Sequence, residues 1–309
     1  SSSSAASDVY KRQRQMKTNP DITILIPTYN EEEIIADVIK RVRESMNRLK
    51  RRYEILVIND GSKDNTALRA KKTGARVISH PYNIGNGAAI KTGIRQAQGS
   101  ILVMMDGDGQ HNPENIPALL KGIIHYDMVV GARTGSSESD IHRDMANRLY
   151  NLFASYICKR KIKDLTSGFR AIKASIARQF VSLLPNTFSY PTTITMAVLR
   201  SGYSLAYVPI KTNRRVGKSK IKLLRDGSRF LLIILKIATL FSPMRVFLPV
   251  SFIMFLAGVG YGLFRILFVT GTYGPTSAML ITMSVVVFMV GLVSEQVAQL
   301  RYDRSEKRD

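Results

Sequence analysis

An α/β domain with a mostly parallel sheet, followed by an apolar helical hairpin, is the fold class this sequence predicts. From Ile22 to about Ile210, short apolar runs alternate with amphipathic stretches, the rhythm of βαβ units. Beyond that point the composition turns basic and then strongly apolar. Two stretches, 246–269 and 277–300, are each roughly 24 residues long, enough to cross the ~30 Å hydrocarbon core of a bilayer.

Taken in order, residues 1–20 open with SSSSAAS and YKRQRQMK. They lack the apolar centre of a signal peptide and predict a flexible tail. The α/β domain is expected over 21–220. Within it ITILIP, YEILVIN, ARVISH, SILVMMD and DMVVGA predict buried strands, and 31–50, 65–73, 87–98 and 113–125 predict helices. A sheet of this kind gathers its ligands at the carboxyl ends of the strands. Lys211–Lys222 is strongly basic and contains Gly217. Ile221–Phe241 then mixes a broad apolar face with Arg225, Arg229 and Lys236, predicting an interfacial amphipathic helix within 221–243.

A transmembrane hairpin is expected over 244–300, with a short cytoplasmic tail at 301–309. The loop between the spans carries no charge, whereas Lys and Arg crowd before the first span and follow the second at Arg301, Arg304, Lys307 and Arg308. By the positive-inside rule the α/β domain and both termini are cytoplasmic. Arg265 is expected to snorkel to the outer interface, and Glu295 to snorkel inside or contact a neighbouring helix.

The 309 residues carry a formal net charge of +22, which attracts nucleic acid, anionic membrane or phosphate-bearing small molecules. No zinc spacing or recognition-helix pattern is present and the cations cluster beside the apolar stretches, so nucleic acid is not expected. A lone Cys158 excludes an internal disulfide and suits a reducing cytosol.

Chemistry concentrates in loops that follow strands. In MMDGDGQH (104–111) a buried strand delivers Asp106 and Asp108 to its carboxyl end. Two carboxylates so close repel unless a cation lies between them. A hard divalent ion, Mg²⁺ or Mn²⁺, fits these oxygens and bridges a diphosphate, and Gln110 is a third candidate ligand. In NDGSKDNT (59–66), capping accounts for Asp64 and Thr66, while Asp60 is placed to accept base N–H groups. PTYNEEE ends the first strand, with Pro27 and Tyr29 shaping the turn and Asn30 and Glu31 opening a helix. HPYNIGNGAAIKTG places Gly85 and Gly87 at a helix start where backbone N–H groups can meet a diphosphate; it lacks the ending of a Walker A loop.

In sequence order, PTYNE, NDGSKDNT, NIGNGAAIKTG, DGDGQH, VGAR, DLTSGFRA and RRVGKSK resemble the family-2 glycosyltransferases of GT-A fold, specifically the dolichol-phosphate mannose synthase and polyprenyl-phosphate glycosyltransferase group. The likeness runs from about Ile22 to Lys220. It implies that Pro27, Tyr29, Glu31, Asp60 and Asp106 line the nucleotide pocket and that Asp106, Asp108 and Gln110 hold the metal. It places Arg133, Ser167, Arg170, Ser219 and Lys220 toward an acceptor phosphate. Asp108, Arg133, Arg170 and Arg214 form the expected catalytic set, and the role of Arg215 stays open.

The implied reaction moves one hexose from a nucleotide-diphosphate sugar, of GDP-mannose or UDP-glucose type, to a polyprenyl (dolichyl or undecaprenyl) phosphate at the cytoplasmic membrane face. Both reactants are anionic, so a metal and several guanidinium groups offset their repulsion. A phosphate nucleophile is already deprotonated and needs no general base, which predicts in-line attack with inversion. Asp164, the nearest candidate should a base be needed, ranks first as a structural or orienting carboxylate. The 186–198 stretch, NTFSYPTTITMAV, departs from the mannose-synthase pattern. A processive polysaccharide synthase shares the core, but its Q-x-x-R-W motif is excluded because the chain has no Trp; the intact motifs argue against a non-enzymatic membrane scaffold. Expected partners are thus a nucleotide sugar, a polyprenyl phosphate and an anionic membrane, with homo-oligomerisation left open.

Overall fold

A computed structural model of the chain describes residues 20–134, 141–186, 189–211, 242–269 and 271–306, together with Leu235 and Thr239. Arg214, Arg215, Ser219 and Lys220 lie outside the described residues, as do the 1–19 tail and nearly all of the 221–241 segment.

The chain forms two compact units. The first contains a seven-stranded sheet of order β3-β2-β1-β4-β6-β5-β7. Its strands are β1 (Ile22–Thr28), β2 (Tyr53–Asn59), β3 (Arg76–Ser79), β4 (Ile101–Met104), β5 (Met128–Arg133), β6 (Arg170–Lys173) and β7 (Leu205–Ile210). Six run the same way. β6 lies between β4 and β5 and is antiparallel to both. The five expected apolar runs are β1 to β5. Of these, β1, β2, β4 and β5 are largely buried, as continuous apolar strands of a covered parallel sheet should be, whereas β3, also expected to be buried, lies at the sheet edge and stays partly exposed. β6 and β7 follow no such run.

Helices α1 (Ile35–Asn47), α2 (Thr66–Lys72), α3 (Asn86–Gln96), α4 (Ile116–Gly122), α5 (Ile141–Cys158), α6 (Ala174–Phe180) and α7 (Tyr190–Arg200) connect these strands. In α1 the buried residues Ile35, Val38, Ile39, Val42 and Met46 recur at helical spacing and make one stripe against the sheet. The helix begins later than Glu31 because Asn30 adopts a left-handed φ of 54°. The N–H groups of Asn30, Glu31 and Glu32 are instead drawn to Ser62, Thr66 and Asp64.

Sheet order reverses beside β1: the chain steps outward to β2 and β3, then returns to place β4 on the other flank of β1. Crevices at such switch points, outside the carboxyl ends of the strands, are where open α/β sheets bind ligands. Pro27 fits this place. Pairing of β1 with β4 stops at Leu25 and Met104, so the missing N–H of Pro27, two residues on and facing the same flank, interrupts no ladder.

The second unit holds α8 (Met244–Phe268) and α9 (Pro275–Glu306), together with residues 152–161. Both helices are long and apolar enough to cross a membrane, over Met244–Phe268 and Pro275–Leu300. Most of their large apolar side chains face outward, among them Phe252, Ile253, Leu263, Val286 and Met289. A water-facing surface of this kind is costly, and a bilayer covers it. Glu295 on α9 accepts from the N–H of Met244 at 3.1 Å, satisfying one of the unpaired donors at the start of α8 and meeting its positive dipole end.

Candidate active site

β4 brings the carboxylate pair to the switch point. Asp106 follows it by two residues, and its side chain is 32 % exposed. Asp108 Oδ1 accepts from the N–H of Gln110 at 3.1 Å, closing the turn. Gly107 sits where a Cβ would fall 2.7 Å from Thr28 Cγ2, so the turn presses against the end of β1 with no room for a side chain.

Because β6 runs against its neighbours, its start, not its end, lies at the carboxyl ends of β4 and β5. Residues 164–168, which lead into β6, therefore stand between Asp106 and Arg133, the last residue of β5. This segment touches both. A Cβ on Gly168 would lie 2.8 Å from Asp106 Oδ2, so the carboxylate packs against bare backbone. Asp164 forms a two-pronged ion pair with Arg133, Nε to Oδ2 at 2.8 Å and Nη2 to Oδ1 at 2.9 Å. Arg133 Nη2 also donates to Thr166 Oγ1 at 2.6 Å. The backbone N–H groups of Arg133, Thr166 and Ser167 complete the shell of Asp164. Arg133 keeps 35 % of its side chain exposed while Asp164 is buried, so a fixed cation meets solvent.

Burial pushes the Asp164 carboxyl up, but the hydrogen bonds and charge of Arg133 and the backbone donors outweigh it and hold it below its ordinary 3.8. Since the folded value is the lower one, the stabilisation is complete above pH 3.8 and is lost as pH falls through the folded value. In urea unfolding, stability should therefore drop below about pH 4, and more steeply for the unaltered chain than for Asp164→Asn. Equal acid slopes would remove Asp164 from this role.

Two expected phosphate ligands are placed otherwise. Arg170 is 0 % exposed. It donates to Pro191 O at 3.0 Å, Thr195 Oγ1 at 3.1 Å and Ser167 O, and its guanidinium lies 6.0 Å from the Tyr190 ring centroid. Burial pulls its pKa down, while Tyr190, Asp164, Tyr207 and Asp106 pull it up. This corrects the expectation that Arg170 meets a phosphate directly: it is an internal post tying the 164–168 segment to the start of α7. Ser167 is buried beside it.

Asp60 is 2 % exposed. Its Oδ1 meets His80 Nδ1 at 2.7 Å and accepts from Ile84 N at 3.0 Å, and its Oδ2 accepts from Gly85 N at 2.8 Å. The donors just before α3, expected to face a diphosphate, are taken by this carboxylate. Asp60 thus ties the end of β2 to the 80–85 segment, a partnership that no local motif announced. Tyr29 and Glu31 remain partly exposed beside the buried Pro27, on the turn after β1. Asp64 accepts from Thr66 N at 3.0 Å, an Asx-type turn contact ahead of α2, whose N-cap residue Asn65 makes no side-chain capping bond.

The acidic turn fits a hard divalent ion: two carboxylates, separated by a single glycine, reach solvent from one strand end. Among the described residues no group of three His, Cys, Asp or Glu side chains converges on a metal position. An ion here would draw its remaining ligands from Gln110, substrate or water.

Residues 23–181 match the model of glycosyl transferase family 2. The chain belongs to this family. Residues 242–300 match a second model, the GtrB C-terminal hairpin, which agrees with α8 and α9 as two membrane spans. An uncharacterized protein of Methanocaldococcus jannaschii is 29 % identical over 202 residues, covering 62 % of this family-2 chain and 81 % of the relative. Undecaprenyl-phosphate 4-deoxy-4-formamido-L-arabinose transferase of Proteus mirabilis is 28 % identical, covering 55 % of this chain and 57 % of the relative. Dodecaprenyl-phosphate galacturonate synthase of Rhizobium johnstonii is 28 % identical, covering 52 % and 49 %. This chain therefore spans about half the length of those two transferases. Glucosyl-3-phosphoglycerate synthase of Mycobacterium tuberculosis, crystallised with Mn²⁺, UDP and phosphoglyceric acid, superposes with a TM-score of 0.57 at 20 % identity, covering 73 % of this chain and 80 % of that one. That likeness establishes the GT-A type of fold.

Proposed function

We propose that this family-2 glycosyltransferase moves a single hexose from a nucleotide-diphosphate sugar to a polyprenyl phosphate, with inversion, at the cytoplasmic face of a membrane. One observation carries the reading: the 164–168 segment contacts the carboxylate of Asp106 at one end and grips Arg133 at the other. It thereby couples a seat for a metal-bound diphosphate to a fixed, solvent-facing guanidinium. The named activities of the two sugar transferases and the apolar hairpin support a lipid phosphate as acceptor.

In this reading Asp106 and Asp108, with Gln110, hold Mg²⁺ or Mn²⁺, which when bound neutralises the diphosphate and the departing nucleotide. Pro27, Tyr29 and Glu31 frame the nucleotide, while Asp60 braces the 80–85 segment from within. Arg133 orients the acceptor phosphate through the charge of its partly exposed guanidinium. Asp164 fixes the position of that guanidinium. The phosphate oxygen attacks the sugar carbon opposite the leaving group, so an α-linked donor gives a β-linked lipid phosphate sugar. Arg214, Ser219 and Lys220 are assigned to closing over the diphosphate and acceptor.

The test is incubation of the purified chain with Mg²⁺ or Mn²⁺, a polyprenyl phosphate and a panel of GDP and UDP sugars. Formation of one lipid-linked monosaccharide supports the reading; a growing polymer, or no lipid product from any donor, contradicts it. Removing the residues after Phe241 should leave nucleotide binding intact but cut transfer to long-chain lipid at least about tenfold, because acceptor and enzyme no longer share a surface. Full activity of the truncated chain on that lipid in membranes would remove the anchoring argument.

A further inference from the structure

The acidic turn ends on His111, an imidazole to which the proposed reaction gives no task. It is 6 % exposed. Its Nδ1 accepts from the backbone N–H of Asp106 at 3.2 Å, so this nitrogen carries the lone pair. The same nitrogen lies 3.9 Å from Asp106 Oδ2, too far for a hydrogen bond. The ring stacks on Phe169, centroids 5.2 Å apart and planes at 17°. Phe169 is fully buried and directly follows Gly168, whose backbone walls the other side of the Asp106 carboxylate. One dipeptide therefore seats the carboxylate with its glycine and clamps the histidine with its aromatic ring.

We propose that His111 is a positioning residue for the metal seat, setting the direction of Asp106 by accepting its backbone N–H while Phe169 fixes the ring plane. The proposal rests on the assignment of Asp106 to the metal. An N–H left without an acceptor in this half-buried turn costs about 1–3 kcal/mol, and the backbone recovers it by rotating toward another partner. Such a rotation swings the attached carboxylate, while Gly168 offers no side chain to restrain it. Residues that orient a ligand without touching the metal typically set affinity by about 10- to 100-fold.

The experiment is a Mn²⁺ titration of the purified full-length chain by electron paramagnetic resonance, with saturating UDP and separately GDP. His111→Asn places an amide oxygen near the Nδ1 position and keeps the acceptor. His111→Phe keeps a stacked ring and removes the acceptor. The expected result is Mn²⁺ affinity within about threefold of the unaltered chain for His111→Asn, and a loss of about 10- to 100-fold for His111→Phe. If His111→Phe does not fold, His111→Gln, whose oxygen falls near Nε2 instead, makes the same comparison and the same loss is expected. Unaltered affinity in the acceptor-free variant, or equal losses in both kinds of variant, would overturn the proposal and leave the ring as packing alone. Absence of Mn²⁺ binding by the unaltered chain with either nucleotide would overturn the metal assignment itself and this inference with it.

Discussion

Replacing Asp108 with Ala is expected to abolish sugar transfer, lowering kcat/KM by about 10³-fold or more, and to erase the metal dependence of nucleotide binding. The size follows from what the carboxylate opposes: a nucleotide leaves as an anion while a phosphate approaches, and removing a preorganised counter-charge from such a site costs about 10²- to 10³-fold on its own. Losing a metal as well adds to that. Asp108 also closes its own turn through Gln110 N–H, so Ala confounds charge with local geometry. Asp108→Asn separates them, since its amide oxygen can still accept from Gln110. Nearly the same loss of transfer is expected for Asn, with thermal stability unchanged. Unchanged turnover in either variant would remove the metal assignment.

Arg133→Ala should damage acceptor use far more than donor affinity. We expect kcat/KM for the lipid phosphate to fall about 10²-fold, or about 2.7 kcal/mol, with donor KM within about threefold. The guanidinium is held by Asp164 at 2.8 and 2.9 Å, so its rotamer is set before the acceptor arrives and little entropy is lost on binding. Truncation leaves Asp164 with backbone donors still in place. Since Arg133 is about one-third exposed, the stability loss should be about 1–2 kcal/mol, below that of a fully buried pair. Arg133→Lys retains the charge but loses the fork, and should recover only part of the acceptor effect. Equal loss toward donor and acceptor would contradict the role.

The first five strands were legible because each is an apolar run ended by turn residues, and in β1, β2, β4 and β5 a covered parallel sheet leaves that trace. β6 was not. It has only four residues and begins with Arg170, a charge that hides a buried strand from any reading by hydrophobicity. Its direction mattered most: ligands were expected at strand carboxyl ends, and the antiparallel strand instead delivers the segment that precedes it.

The same distance problem hid the job of Arg170, whose partners Pro191 and Thr195 lie more than twenty residues on. Asp60 looked like a nucleoside contact because its partners, His80, Ile84 and Gly85, belong to a different strand's exit. His111 was visible in the sequence as the end of DGDGQH, but only the stack on Phe169 gave it a physical task. The orienting part expected for Asp164 left its partner open, because Arg133 lies 31 residues earlier, at the end of another strand.

The central claim is that a carboxylate-held cation and the Arg133 guanidinium, joined through residues 164–168, bring two anions together. A crystal structure of the full chain with Mn²⁺, a nucleoside diphosphate and a short polyprenyl phosphate tests it most directly. The expected anomalous signal lies against Asp106 and Asp108 and the diphosphate, with the lipid phosphate beside the Arg133 guanidinium. Mn²⁺ bound elsewhere, or a lipid phosphate seated away from Arg133, would contradict the account.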